Sequence, residues 1–371
     1  MIEGESLQPQ KYPVNHVPAC AAWTAVFPKS MTHLIYLQLG FQVVQAAEPQ
    51  QNPISWTDPF STSRVPAKLD QMRAWFSLPN APRHLDCGVY DDLDGNRNWV
   101  FFAYWDDYDT YQRWIAQPEV DQWWSSPQAD DSFGYWRELA IIPTNHIETI
   151  QQADRDHGCM HFLQREVTEV HDYWGAARDR IPASTTNDFS SSLGETLPSP
   201  KIQETKGYQI KLTAPANVCH VRSAQDLIMT GAEQRQTYLQ KVEPSLRRGM
   251  EYILANPVET GCISCRYIRE VTLAGEPLDK TCGTLFFLSL AHLEHWAESH
   301  PTHQAIYGMF NQMIEHHSQE ELELALWHET SVLPKGHMQA EYVNCSPTTG
   351  FLPYFTNEQT KQSIAVPIAS R

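Results

Sequence analysis

The stretch Cys87-Gly-Val-Tyr-Asp-Asp-Leu-Asp-Gly-Asn-Arg-Asn-Trp-Val-Phe-Phe-Ala-Tyr-Trp105 reads as two strands joined by a tight turn at Asp94-Gly95-Asn96. An apolar run at Leu34–Val44 and a helical pattern around Ala67–Phe76 precede it. After it, a helix starting at Asp106 carries Tyr108, Tyr111 and Ile115 on one face, and Phe133–Ile142 reads as a closing strand. The same order then returns. Val218–Ser223 is followed by a helical stretch, Gln234–Leu254, then Cys262–Val271, a turn at Ala274-Gly275, and the run Thr284–Leu288. Ser289 can cap a helix bearing Leu290, Leu293 and Ala297, and Leu324–Leu333 closes the copy.

Gly95 and Gly275 stand 180 residues apart, Trp114 and Trp296 stand 182 apart, and Arg137 and His328 stand 191 apart. Each block therefore reads β-α-β-β-α-β, a ferredoxin-like unit. Such a unit carries helices on one face of its sheet and must bury the other face against a second sheet. The expected fold class is α+β: two tandem ferredoxin-like units closing a barrel-like sandwich with room for a ligand. The units are expected over residues 1–150 and 208–346, with a connector over 151–207 and a tail over 347–371. Within the connector, Ile181–Gly207 is rich in Ser, Thr, Pro and Asn and should be exposed. The tail reads as polar, with aromatic anchors at Phe351, Tyr354 and Phe355.

The 371 residues carry a net charge of −17, against the basic footprint that nucleic-acid binding requires. Twelve Trp, 15 Tyr and 14 Phe exclude a disordered chain. No run approaches the ~20 apolar residues of a membrane span, and Met1-Ile-Glu-Gly-Glu-Ser lacks the features of a secretory signal. A cytoplasmic protein is expected. Eight dispersed cysteines do not form a disulfide scaffold. Cys262-Ile-Ser-Cys265 has no second pair for zinc and is followed by Arg266 rather than the His of a covalent haem anchor. Strand cysteines facing opposite sides of the sheet are expected there.

The two copies differ in reactive groups. With the prolines Pro118 and Pro301 aligned, Val120 falls opposite His303, and Trp136-Arg137-Glu138 falls opposite Trp327-His328-Glu329. The second copy has thus gained a histidine near a helix end and another on a strand. No HExxH, Cys2His2, Walker, GxGxxG or GxSxG pattern is present.

The segments Trp296-Ala-Glu-Ser-His-Pro-Thr-His303, Leu326-Trp-His-Glu-Thr-Ser-Val332, Val221-Arg-Ser-Ala-Gln-Asp226, Tyr173-Trp-Gly-Ala-Ala-Arg178 and Glu341-Tyr-Val-Asn-Cys345 resemble the haem-containing aldoxime dehydratases, in order over nearly the whole chain. The resemblance implies a dimeric α+β-barrel fold with an internal haem pocket, a small-molecule aldoxime as substrate, and non-covalent haem b that is ferrous when active. It implies His303 as the proximal haem ligand, His328 as the distal acid–base histidine, Ser223 as a hydroxyl that hydrogen-bonds the oxime oxygen, and Arg178, chosen over Arg180, as the distal arginine. His303 and His328 stand 25 apart, a few residues more than the family pattern, so an insertion is expected near Glu315–Glu321, with His300, His316 and His317 as neighbouring decoys. The implied reaction turns R–CH=N–OH into a nitrile and water, in a homodimer. A haem peroxidase or chlorite-dismutase-like oxidoreductase, and a non-catalytic haem-binding protein, are the alternative readings.

Overall fold

The computed structural model describes residues 11–44, 67–127, 132–317 and 322–364. β1 (Ala22–Val26) leads into the first block: β2 (His33–Val43), α1 (Ala67–Ala74), β3 (His84–Asp91), β4 (Arg97–Trp105), α2 (Tyr108–Ile115), α3 (Pro118–Ser125) and β5 (Phe133–Pro143). Asp107, one residue beyond the expected start, caps α2 by accepting from the Thr110 N–H at 2.7 Å. Pro118 opens α3, where its missing N–H has no partner to lose. The connecting region supplies β6 (Ile147–Gln151), β7 (Gln164–Thr168) and α4 (Ala176–Arg180).

β8 (Tyr208–Thr213) precedes the second block, which starts with β9 (Val218–Asp226). The predicted long helix follows as α5 (Ala232–Thr237), a π turn at Tyr238–Val242, and α6 (Glu243–Ala255). Then come α7 (Pro257–Thr260), β10 (Cys262–Val271), β11 (Pro277–Phe287), α8 (Leu290–Ser299), α9 (Pro301–His317) and β12 (Ala325–Leu333). β13 (Met338–Val343), α10 (Leu352–Phe355) and β14 (Lys361–Ser363) finish the described chain. Gly95 and Gly275 turn the equivalent hairpins β3–β4 and β10–β11 at φ of +79° and +99°, a backbone conformation that side chains with a Cβ resist.

The 14 strands of the described residues form one antiparallel sheet, ordered β14-β8-β13-β5-β2-β4-β3-β10-β11-β9-β12-β6-β1-β7. Within it, β5-β2-β4-β3 and β10-β11-β9-β12 repeat one arrangement: the first and third strands of each block lie inside, the second and fourth outside. The β3–β10 pairing joins the two halves. Their inner faces share a core that includes Tyr36, Phe102 and Trp136 from the first half and Ile268, Phe286 and Trp327 from the second. Arg266 spans this interior to Glu138 with two bonds of 2.7 and 2.6 Å. The outer face of the first half packs on α1, α2 and α3. That of the second packs on α6 and α8, and α9 packs in turn on α6 and α8.

One glycine is dictated by packing. Gly40 on β2 pairs with Trp136 on β5, and a Cβ there would sit 2.0 Å from the Trp136 ring. Trp136 is fully buried and cannot retreat. Gly40→Ala should therefore cost roughly 1–3 kcal/mol, the usual penalty of overpacking, read as a lower urea midpoint at unchanged m value.

Two expectations change. Cys262 and Cys265 belong to the same buried cluster rather than to opposite faces, because a bulge shifts the β10–β11 register between Cys262 and Ser264. Segment 181–207 is irregular but not simply exposed: Phe189 and Leu197 are each 1% exposed and pin it to two different cores. Two anchors suffice for this, and average composition conceals them. The tail is anchored as expected through Phe351, with Tyr354 and Phe355 packed against the same core, and β14 adds a pairing to β8. Of the expected insertion near Glu315–Glu321, residues 318–321 lie outside the described residues.

Candidate active site

Ser223 on β9 and His328 on β12 lie directly opposite each other in the antiparallel register. Such partners project from one face of a sheet. Here it is the face of Cys219, Val221 and Val332, which pack toward α6 and α8. The intervening Arg222 points into the interior, where it donates to Asp86 at 2.8 Å and Glu270 at 2.7 Å. Although β9 and β12 are internal strands, Ser223 is only partly buried and the His328 side chain is 33% exposed. An uncovered hydroxyl and imidazole in mid-sheet mark a crevice rather than packed core.

β6 adds to this face. Its Ile150 pairs with His328 and its Glu148 with Thr330. Glu148 Oε1 lies 3.0 Å from His328 Nε2, and Arg180 Nε donates to Glu148 Oε2 at 2.7 Å. Arg180 Nη2 also lies 3.3 Å from His328 Nε2, while Nη1 donates to the Val170 carbonyl at 2.6 Å. Complete burial alone would raise the Glu148 pKa, but the Arg180 and His328 charges outweigh it and hold the value at about 2. Nε2 of His328 thus meets a guanidinium that favours a bare lone pair and a carboxylate that favours N–H.

Arg178 is elsewhere. Its Nε and Nη2 donate to Glu294 of α8 at 2.9 and 2.6 Å, and Nη1 to the Asp188 carbonyl at 3.1 Å. Successive helical residues turn by about 100°, so positions 178 and 180 look in nearly opposite directions. The arginine beside His328 is Arg180.

His303 stands in the first turn of α9. Its ring packs against Trp296 at 4.6 Å and Trp174 at 6.1 Å between centroids. Nδ1 is buried without a hydrogen bond of ordinary geometry. Burial lowers the pKa of this imidazole, with the Ala297 carbonyl acting against the shift. A neutral ring with its lone pair free is the form a metal requires. The neighbouring His300 is committed instead: Nδ1 lies 2.8 Å from Thr302 Oγ1 and the ring lies against Tyr252.

These residues fit a haem. The orphaned buried Nδ1 belongs to a histidine suited to axial ligation. Large apolar groups nearby are left uncovered, with Trp174 41% and Tyr307 44% exposed and their rings 5.5 Å apart. Of the seventeen residues of α9 only Met313 is buried, which is little for a helix carrying Ile306, Met309 and Phe310. Exposed apolar surface of this kind marks a binding groove. A separate polar cavity lined by Asp86, His157, Glu270 and Trp327 opens on the opposite side of β9 and β12 and contains none of these groups.

Sequence reasoning missed Glu148 and set Arg178 ahead of Arg180. The run Ile147-Glu-Thr-Ile-Gln151 alternates as a strand does, and a carboxylate within it was the available signal for Glu148.

A family model of haem-containing dehydratases matches residues 45–351. A phenylacetaldoxime dehydratase from Bacillus sp. (strain OxB-1) is 41% identical over 346 residues, 92% of this chain and 94% of the relative. An aliphatic aldoxime dehydratase from Rhodococcus globerulus is 34% identical over 295 residues, 77% of this chain and 82% of the relative. A crystal structure of an aldoxime dehydratase in complex with butyraldoxime superposes with a TM-score of 0.80 at 28% identity, covering 93% of this chain and 92% of that one.

Proposed function

The chain belongs to the haem-containing dehydratase family, and from that premise we propose that it converts aldoximes, R–CH=N–OH, into nitriles and water at the crevice between β9, β12 and α9. The enzyme is a lyase with haem as its cofactor. The observation that carries the site assignment is the cross-strand pairing of Ser223 with His328, backed by Glu148 and Arg180.

His303 would hold the haem through its imidazole, with Trp174, Trp296 and Tyr307 forming apolar surroundings. When bound, haem supplies a ferrous centre able to bind the oxime nitrogen and lend electron density to the N–O bond. The remaining work is proton transfer. Hydroxide leaves nitrogen poorly, so the oxime oxygen must gain a proton as the N–O bond breaks. His328 supplies that proton and afterwards accepts the one lost from the oxime carbon, so the imidazole ends as it began and no oxidant or reductant is consumed. Ser223 donates to the oxime oxygen and fixes its direction. Glu148 and Arg180 act through His328: the carboxylate stabilises its charged form, the guanidinium its neutral one.

In its finer form the reading takes the two four-stranded halves as tandem ferredoxin-like units enclosing the haem, in a cytoplasmic homodimer. The repeated strand order supports the tandem units. Among the described residues no helix is long and apolar enough to cross a membrane.

The test is anaerobic incubation of the reduced, haem-loaded protein with phenylacetaldoxime and, separately, butyraldoxime. Stoichiometric nitrile with no added oxidant is the expected result. Nitrile formation only in the presence of peroxide would overturn the proposal. The same assay ranks the arginines. Arg180→Ala should lower kcat by about 10–100-fold, as for partners that orient a reactive histidine, whereas Arg178→Ala should cost less. Equal losses would remove Arg180 from its special place.

A further inference from the structure

The geometry points to a second site independent of the haem: we propose that Glu233, His316 and His317 bind a divalent transition-metal ion of the zinc class. One ligand atom from each residue lies within 4.8 Å of the other two. His316 and His317 end α9, and Glu233 stands in the first turn of α5, so the set joins elements remote in sequence. His316 Nε2 is 3.9 Å from Glu233 Oε1, and the two imidazoles meet edge to face with centroids 4.6 Å apart.

A hydrogen-bond chain orients one of the ligands. His317 Nε2 lies 3.1 Å from Thr237 Oγ1. That hydroxyl donates its only proton to the Glu233 carbonyl at 3.1 Å, so its oxygen must accept from His317 Nε2–H. The His317 lone pair is then on Nδ1. Outer hydrogen bonds of this kind set the tautomer and ring direction of metal-binding histidines. One turn of α5 thus provides both a carboxylate ligand and the hydroxyl that steers an imidazole.

The donor set selects the ion. Two imidazoles and one carboxylate suit Zn²⁺, with Ni²⁺ and Cu²⁺ as competitors, whereas Ca²⁺ and Mg²⁺ prefer more oxygen ligands. A tetrahedral site with bonds near 2.1 Å separates its ligands by about 3.4 Å. Closing from the observed spacing requires only rotamer adjustment in side chains free to make it, Glu233 being 82% and His316 58% exposed. Water completes the coordination. The bound ion would tie α5 to the far end of the helix that carries His303, bracing the helical layer over the crevice.

The proposal is tested by calorimetric titration of Zn²⁺ into the haem-loaded protein, with thermal unfolding and zinc X-ray absorption on the product. Wild type should bind one equivalent, gain Tm with zinc, and show two imidazole nitrogens at the metal. Glu233→Gln should weaken binding by about tenfold or more, and His316→Ala and His317→Ala should abolish the site while retaining full haem content. Undiminished one-equivalent binding in both histidine variants, sulfur at the metal, or no zinc binding by wild type would each overturn it. Haem content and nitrile formation report on the separate dehydratase site, so failure of one reading leaves the other distinguishable.

Discussion

His303→Ala should purify with its haem largely lost, at least about tenfold below wild type, since removal of a ligand exceeds the 10–100-fold cost of disturbing an outer-shell partner. A non-covalent porphyrin is held chiefly through its iron ligand, which in the proposed assignment is His303. His300 is held by Thr302 and Tyr252. His316 and His317 stand at the other end of α9, beside α5. The measurement is haem per protein by pyridine haemochrome, with near-UV circular dichroism as the check that the fold persists. Free imidazole should restore a wild-type-like ferrous spectrum by filling the space left by the side chain. Full haem content with an unshifted Soret band would place the ligand elsewhere.

The second half of the molecule shows what a sequence can and cannot display. The hairpin glycines Gly95 and Gly275, the apolar helix faces and the chain order of β2–β5 and of β9–β12 obey local rules and could be read in advance. Ser223 and His328 also fall together for a local reason: each sits on a strand whose alternation fixes the face it projects from. Arg178 and Arg180 defeat the same logic. They occupy a five-residue helix, Ala176–Arg180, too short for an apolar stripe to reveal its rotation. Only the folded chain shows Arg178 on Glu294 and Arg180 on Glu148. Glu148 was hidden differently. Its strand extends the sheet beyond the repeated unit, so comparing the copies could not locate it. The bulge at Cys262–Ser264 is a third case, since one unpaired residue reverses the facing of everything before it and leaves no compositional trace.

The sharpest test of the proton-transfer account is His328→Ala, which should retain haem but lose nitrile formation by about 10²-fold or more, the usual contribution of a positioned acid–base group. His328 combines partial exposure with two charged partners, the carboxylate at 3.0 Å and the guanidinium nitrogen at 3.3 Å. Removing the ring therefore takes away the proton donor while leaving the ion pair of Arg180 and Glu148 intact at 2.7 Å. Ser223→Ala should lower kcat by about 10²-fold through loss of a directed hydrogen bond, but with the proton donor still in place. Glu148→Gln separates chemistry from architecture. It keeps the shape while withdrawing the negative charge 3.0 Å from His328 Nε2, so it should lower kcat while leaving haem content unchanged. Wild-type kcat in Glu148→Gln would show that the carboxylate only packs, and near-wild-type turnover in His328→Ala would assign the proton to another group.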